Sequence, residues 1–179
     1  MKSAALLALC LAWATADAQT PPTDPAGPIA ALARFAGTWA GTASGQAGEG
    51  QVERRYEWVM RGRYLSETNL SRYPAQSTNP KGEEHEHRAM FSYDKPRQAL
   101  VLRQFHVEGF VNTYRQASPP GQWPLVFESE SFENFSNSWK ARETYEFAGD
   151  DEFVETFELA PPGKPYEVYS RTRLKRTSR

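Results

Sequence analysis

His85, His87 and His106 are the only histidines in this chain of 179 residues, and all three lie in the stretch GEEHEHRAMFSYDKPRQALVLRQFH, residues 82–106. An H-x-H pair joined by a third imidazole is a donor set for a divalent ion such as zinc, bound at about 2.0–2.1 Å with a position left for water. Whether the rings meet depends on the element that carries them. Along a strand side chains alternate, so His85 and His87 share a face with Ala89, Phe91 and Tyr93, while Glu86, Arg88 and Ser92 take the other. The run DKPR, 94–97, then reads as a turn into a second strand. A loop of two or four residues sets His106 opposite His85 or His87, with facing Cβ atoms about 5 Å apart. A loop of three or five residues turns it outward. Ala99, Val101 and Phe105 make the second face of that strand apolar too, so both registers stay open and the even loop is favoured only slightly.

Other chemistry has less to stand on. The single cysteine is Cys10, and there is no G-x-S-x-G elbow, P-loop or dinucleotide fingerprint. Glu128, Glu130, Glu155 and Glu158 offer carboxylates, but charged runs on strands usually face water, and no catalytic residue is assigned. Arg115 is more specific. If Glu108 and Gly109 form a tight hairpin, Arg115 falls opposite Leu102 and points inward, placed to hold a ligand carboxylate with both guanidinium arms.

The elements positioning these groups are strands. From Gly37 onward about ten short runs rich in aromatic and β-branched residues begin near Thr38, Gln51, Arg63, Glu83, Gln98, Phe110, Trp123, Ser138, Glu152 and Tyr166. Gly, Pro, Asn and Asp separate them. Before them, PIAALARF (28–35) carries proline at a first-turn position and apolar spacing for a short helix. The expected fold is all-β: an antiparallel up-and-down β-barrel of about ten strands with a short N-terminal helix. Trp58, Tyr64, Phe91 and Leu102 are the expected lining of its interior, although aromatics at such positions are most often core.

The chain opens with MKSAALLALCLAWATADA, a positive start, a short apolar run and an A-x-A site ending at Ala18, which reads as a secretory signal over 1–18. A proline-rich linker follows over 19–27, and the barrel is expected over 28–179. Cleavage near Ala18 would leave about 160 residues without cysteine, the size of one domain, exported to the periplasm or secreted. The formal net charge of −1 gives no footprint for nucleic acid, and no later segment is apolar enough for a transmembrane helix.

FAGTW, residues 35–39, stands between the helix and the first strand. It resembles the G-x-W signature of the calycin superfamily, which includes lipocalins, fatty-acid-binding proteins and nitrobindin-like barrels, and the whole span resembles small exported bacterial barrels of unknown activity. The resemblance implies that Gly37 and Trp39 close one end of the barrel, with Trp39 packed under a basic residue of the last strand, Arg171 or Arg173. It also implies a small apolar or amphipathic ligand in the interior. In nitrobindin-like members a late histidine holds haem, and this chain has no histidine after His106, so a haem would need a non-standard axial ligand. The expectation is a ligand-binding barrel. Its rivals are a metal-dependent hydrolase or lyase built on the three histidines, and a filled barrel with a purely structural role.

Overall fold

The computed structural model describes residues 25–179, so the expected signal, Cys10 and linker residues 19–24 lie outside the described residues. A 3₁₀ helix (Gly27–Phe35) leads into ten strands: β1 (Gly37–Gly45), β2 (Gly50–Val59), β3 (Tyr64–Tyr73), β4 (Glu83–Asp94) and β5 (Ala99–His106), then β6 (Val111–Gln116), β7 (Leu125–Glu133), β8 (Lys140–Phe147), β9 (Glu152–Ala160) and β10 (Glu167–Ser178). Each strand pairs antiparallel with the next, and β10 returns to β1, closing an up-and-down barrel. Closure removes every sheet edge. The expected fold is therefore present, and each strand starts within about two residues of where its run begins.

Alternation decides what fills the interior. On β2, Val52, Arg54 and Tyr56 are buried between exposed Glu53, Arg55 and Glu57; on β3, Leu65, Glu67, Asn69 and Ser71 take the inner positions. One end is filled by aromatic rings gathered on Phe35, the last residue of the helix. Its ring centroid lies 5.1 Å from Tyr56, 5.3 Å from Tyr145 and 5.2 Å from Phe153. Trp39 is fully buried beside them and donates from Nε1 to the Phe35 carbonyl at 2.6 Å. Gly37 holds φ +117°, and a Cβ there would lie 2.3 Å from the Ser178 carbonyl oxygen, so only glycine fits the approach of β10.

The cation over the indole is Arg176, 4.0 Å from the Trp39 centroid, rather than Arg171 or Arg173. On β10 the inner positions are Thr172 and Leu174, and Arg176 continues that face, whereas Arg171 and Arg173 point to solvent. The Arg176 guanidinium also donates to the carbonyls of Arg34 at 2.7 Å, of Asp150 at 2.9 Å and of Ala36, and its Nε to Asp151 at 2.8 Å. It ties the helix exit to the β8–β9 turn. Arg173 makes an ion pair with Glu152 at the surface, an arrangement worth about 0–1 kcal/mol. Arg176→Ala is expected to lower unfolding free energy by roughly 2–3 kcal/mol, with Arg171→Ala and Arg173→Ala each within about 1 kcal/mol of the parent in urea titrations.

Candidate functional site

In an up-and-down barrel the turns after odd-numbered strands all lie at one end. The aromatic plug and helix occupy the other. The end carrying the turns after β1, β3, β5, β7 and β9 is open, and a cavity of about 630 Å³ runs inward from it. That volume suits a small organic molecule. Half-exposed aromatics stand around its mouth, among them Phe110, Phe135, Trp139 and Tyr169. Deeper residues are polar: Arg54, Asn69, Gln104, Asn112, Glu143 and Glu155.

The three histidines sit on one wall of this cavity. The turn between β4 and β5 spans four residues, with Asp94 paired to Ala99, and the odd register sum puts His106 directly opposite His87. Asp94 sets the turn: its Oδ1 accepts from the Arg97 backbone N–H at 3.2 Å and its Oδ2 from Arg97 Nε at 2.7 Å. One ring nitrogen of each histidine lies within 4.8 Å of one from each of the others. The ring centroids form a near-equilateral triangle, with 5.8 Å between His85 and His87 and 5.3 Å on each side that ends at His106.

Each ring has a partner outside the triangle. His85 Nδ1 donates to Glu108 at 2.8 Å, His87 Nε2 donates to Glu67 at 3.1 Å, and His106 Nε2 accepts from Asn112 Nδ2 at 3.1 Å. That tautomer leaves His106 Nδ1–H to donate to His85 Nε2 at 3.3 Å. Burial, reinforced by the neighbouring His87 and His85, lowers the His106 pKa to about 3, so the ring is neutral across the physiological range.

Beneath the histidines lies an ionic cluster. Arg54 is 5 % exposed, forms an ion pair with Glu155, approaches Glu67 at 3.5 Å and donates to Asn69 at 2.8 Å. Burial would raise the Glu67 pKa, but the Arg54 charge and the His87 hydrogen bond outweigh it and hold Glu67 below the usual carboxylate range. Glu143 goes the other way. Burial, then the Glu155 charge, raise it to about 8, so it carries its proton at neutral pH. It accepts a hydrogen bond from the Tyr145 hydroxyl.

None of the five residues expected to line a ligand site reaches the cavity. Phe91 and Leu102 are inward but fully buried in the aromatic half, below the cavity floor. Trp58 lies toward the plugged end of β2 and packs against the core, and Tyr64 has the outward parity of β3. Arg115 is exposed: the connection after His106 spans three residues before Phe110, whose carbonyl accepts from the His106 N–H, so Leu102 faces Tyr114 instead. The buried Glu67 and Glu143 escaped the sequence reading, and Glu155, expected there among charged runs that face water, is buried instead. The available signal was that each shares its strand parity with a core residue: Leu65, Tyr145 and Phe153.

No protein-family model and no curated protein matches the sequence. Among solved structures the barrel is similar to the crystal structure of Rv2717c from M. tuberculosis, with a TM-score of 0.62 and 18% identity over 86% of this chain and 99% of that one. The likeness is one of fold. A haem held in this cavity would have to take its axial ligand from the histidine triad, in which a nitrogen of each ring lies within 4.8 Å of one from each of the others, or from a tyrosine of the lining such as Tyr73 or Tyr169.

The elevated Glu143 pKa makes stability depend on pH. Below about 4.5 the carboxyl is protonated in both states; between that value and about 8 the unfolded chain loses the proton while the folded chain keeps it, so stability falls as pH rises. Glu143→Gln removes this loss. Relative to the parent, its unfolding free energy is expected to gain on the order of 3 kcal/mol between pH 5 and pH 8, measured by urea denaturation at both values.

Proposed function

We propose that this chain is an exported binding protein that holds a small amphipathic molecule in the open half of its barrel, polar group inward and apolar part between the aromatics of the mouth. The observation that carries the reading is the cavity itself: about 630 Å³, open at one end, polar within and ringed by Phe110, Phe135, Trp139 and Tyr169. The same cavity adjusts the expectation of a largely apolar ligand. Its interior offers hydrogen-bonding groups, and an apolar head would leave them desolvated without partners.

Charge narrows the ligand further. Arg54 is the only lysine or arginine among the described residues that line the cavity, and Glu155 and Glu67 already engage it. A carboxylate head finds no free cation there. A neutral hydroxyl or amide, or an amine, finds acceptors in Gln104, Asn112 and the carboxylates. Decanol, decylamine and decanoate, titrated into EDTA-treated protein and followed by tryptophan fluorescence, test this directly. The alcohol or amine is expected to bind at least about 10-fold more tightly than decanoate, and Trp139→Ala to weaken it. Tighter binding of decanoate, or no saturable binding by any of the three, overturns the reading.

A further inference from the structure

We propose that His85, His87 and His106 form a mononuclear site for a divalent transition-metal ion of the zinc class, its open coordination position facing the cavity. The inference goes beyond ligand binding and stands on the rings alone.

The spacing comes first. His106 Nδ1 and His85 Nε2 lie 3.3 Å apart. Two nitrogens on one tetrahedral zinc, with bonds of about 2.05 Å, are separated by about 3.3–3.4 Å. The nitrogen of His87 that completes the set is Nδ1, because its Nε2 is committed to Glu67. One nitrogen of each ring lies within 4.8 Å of one from each of the others, and the cross-strand pair His87 with His106 sets two of the rings side by side on β4 and β5.

The outer nitrogens supply the second argument. A metal-bound imidazole donates its remaining N–H to a carboxylate or carbonyl, which fixes its tautomer and strengthens it as a ligand. Glu108 stands in that place for His85 and Glu67 for His87. For His106 the partner is Asn112, which carries both a donor and an acceptor. In the metal-free protein its Nδ2 donates to His106 Nε2, and its buried Oδ1 has no partner. When an ion takes His106 Nδ1, the ring proton moves to Nε2 and a turned Asn112 amide receives it on Oδ1. No net proton is lost from that ring. Three neutral imidazoles without thiolate or carboxylate suit zinc, cobalt, nickel or copper, and leave magnesium and calcium without their oxygen ligands.

A cobalt titration of EDTA-treated protein tests the site. One Co²⁺ per chain is expected, with the visible bands of a low-coordinate ion that one equivalent of Zn²⁺ abolishes. His85→Ala and His106→Ala should each weaken binding at least about 100-fold, and Glu108→Gln about 10-fold. The side chains of His85 and Glu108 are 24% and 49% exposed, so these variants carry the test even if His106→Ala unfolds. Circular dichroism in EDTA checks that they fold. Fewer than about 0.2 bound equivalents in the parent, or an affinity that His85→Ala and Glu108→Gln leave unmoved, overturns the proposal. The amphiphile titrations run without metal, so either reading can fail while the other stands.

Discussion

Arg54 is a guanidinium sealed inside the barrel, with Glu155 in ion pair, Glu67 close by and Asn69 hydrogen-bonded to it, and the polar half of the interior is arranged around that charge. A buried charge is tolerated only when paired, and removing one member of such a cluster costs about 3–5 kcal/mol because the other is left uncompensated. The cluster joins the consecutive strands β2 and β3 to β9, which is distant from them in sequence. It also reaches the histidine wall. Glu67 is held by Arg54 on one side and accepts from His87 on the other, so the direction in which His87 presents its free nitrogen descends from the position of one arginine.

Two kinds of interior therefore share one barrel. Toward the helix the centre of the barrel is filled by rings packed on Phe35. Toward the open end the inner positions of the same strands turn polar within two residues: Tyr56 gives way to Arg54, Leu65 to Glu67, Leu102 to Gln104, Tyr145 to Glu143 and Phe153 to Glu155. The change occurs on five strands, and cross-strand partners straddle it: Tyr56 faces Glu67 and Tyr145 faces Glu155. Hydrophobic burial stabilises the plugged half, while the polar half must satisfy its own hydrogen bonds and, by failing to fill its volume, becomes a cavity.

What the sequence shows of this is uneven. The strand runs and the helix could be read from periodicity, a local signal, while the place of Trp39 at one end of the barrel is what the resemblance carried by FAGTW implies. Arg176 could also have been found, as it follows Thr172 and Leu174 on the inward parity, which Arg171 and Arg173 do not. The fate of Arg115 turned on whether one connection held two residues or three, and Glu108-Gly109 alone does not determine that. The carboxylates were hidden for a different reason. An inward glutamate makes sense only once its partner is known, and the partner of Glu155 is Arg54, a hundred residues away in sequence.

The histidine wall belongs to this polar half and shares its logic. Without an ion, hydrogen bonds run from Asn112 to His106, from His106 to His85 and from His85 to Glu108, so the rings are oriented by the protein alone. That separates the site from small zinc modules whose folding free energy is the metal's. Here the barrel closes on its own strand pairing, and the triangle of rings is a product of the fold. A site preorganised in this way loses little side-chain entropy on binding, and its geometry is set by the four-residue turn that Asp94 fixes. Lengthening that turn by one residue would reverse the face of β5, turning His106 outward together with Gln104 and Leu102, so the triangle dissolves and the packing beneath it loses a member at the same time.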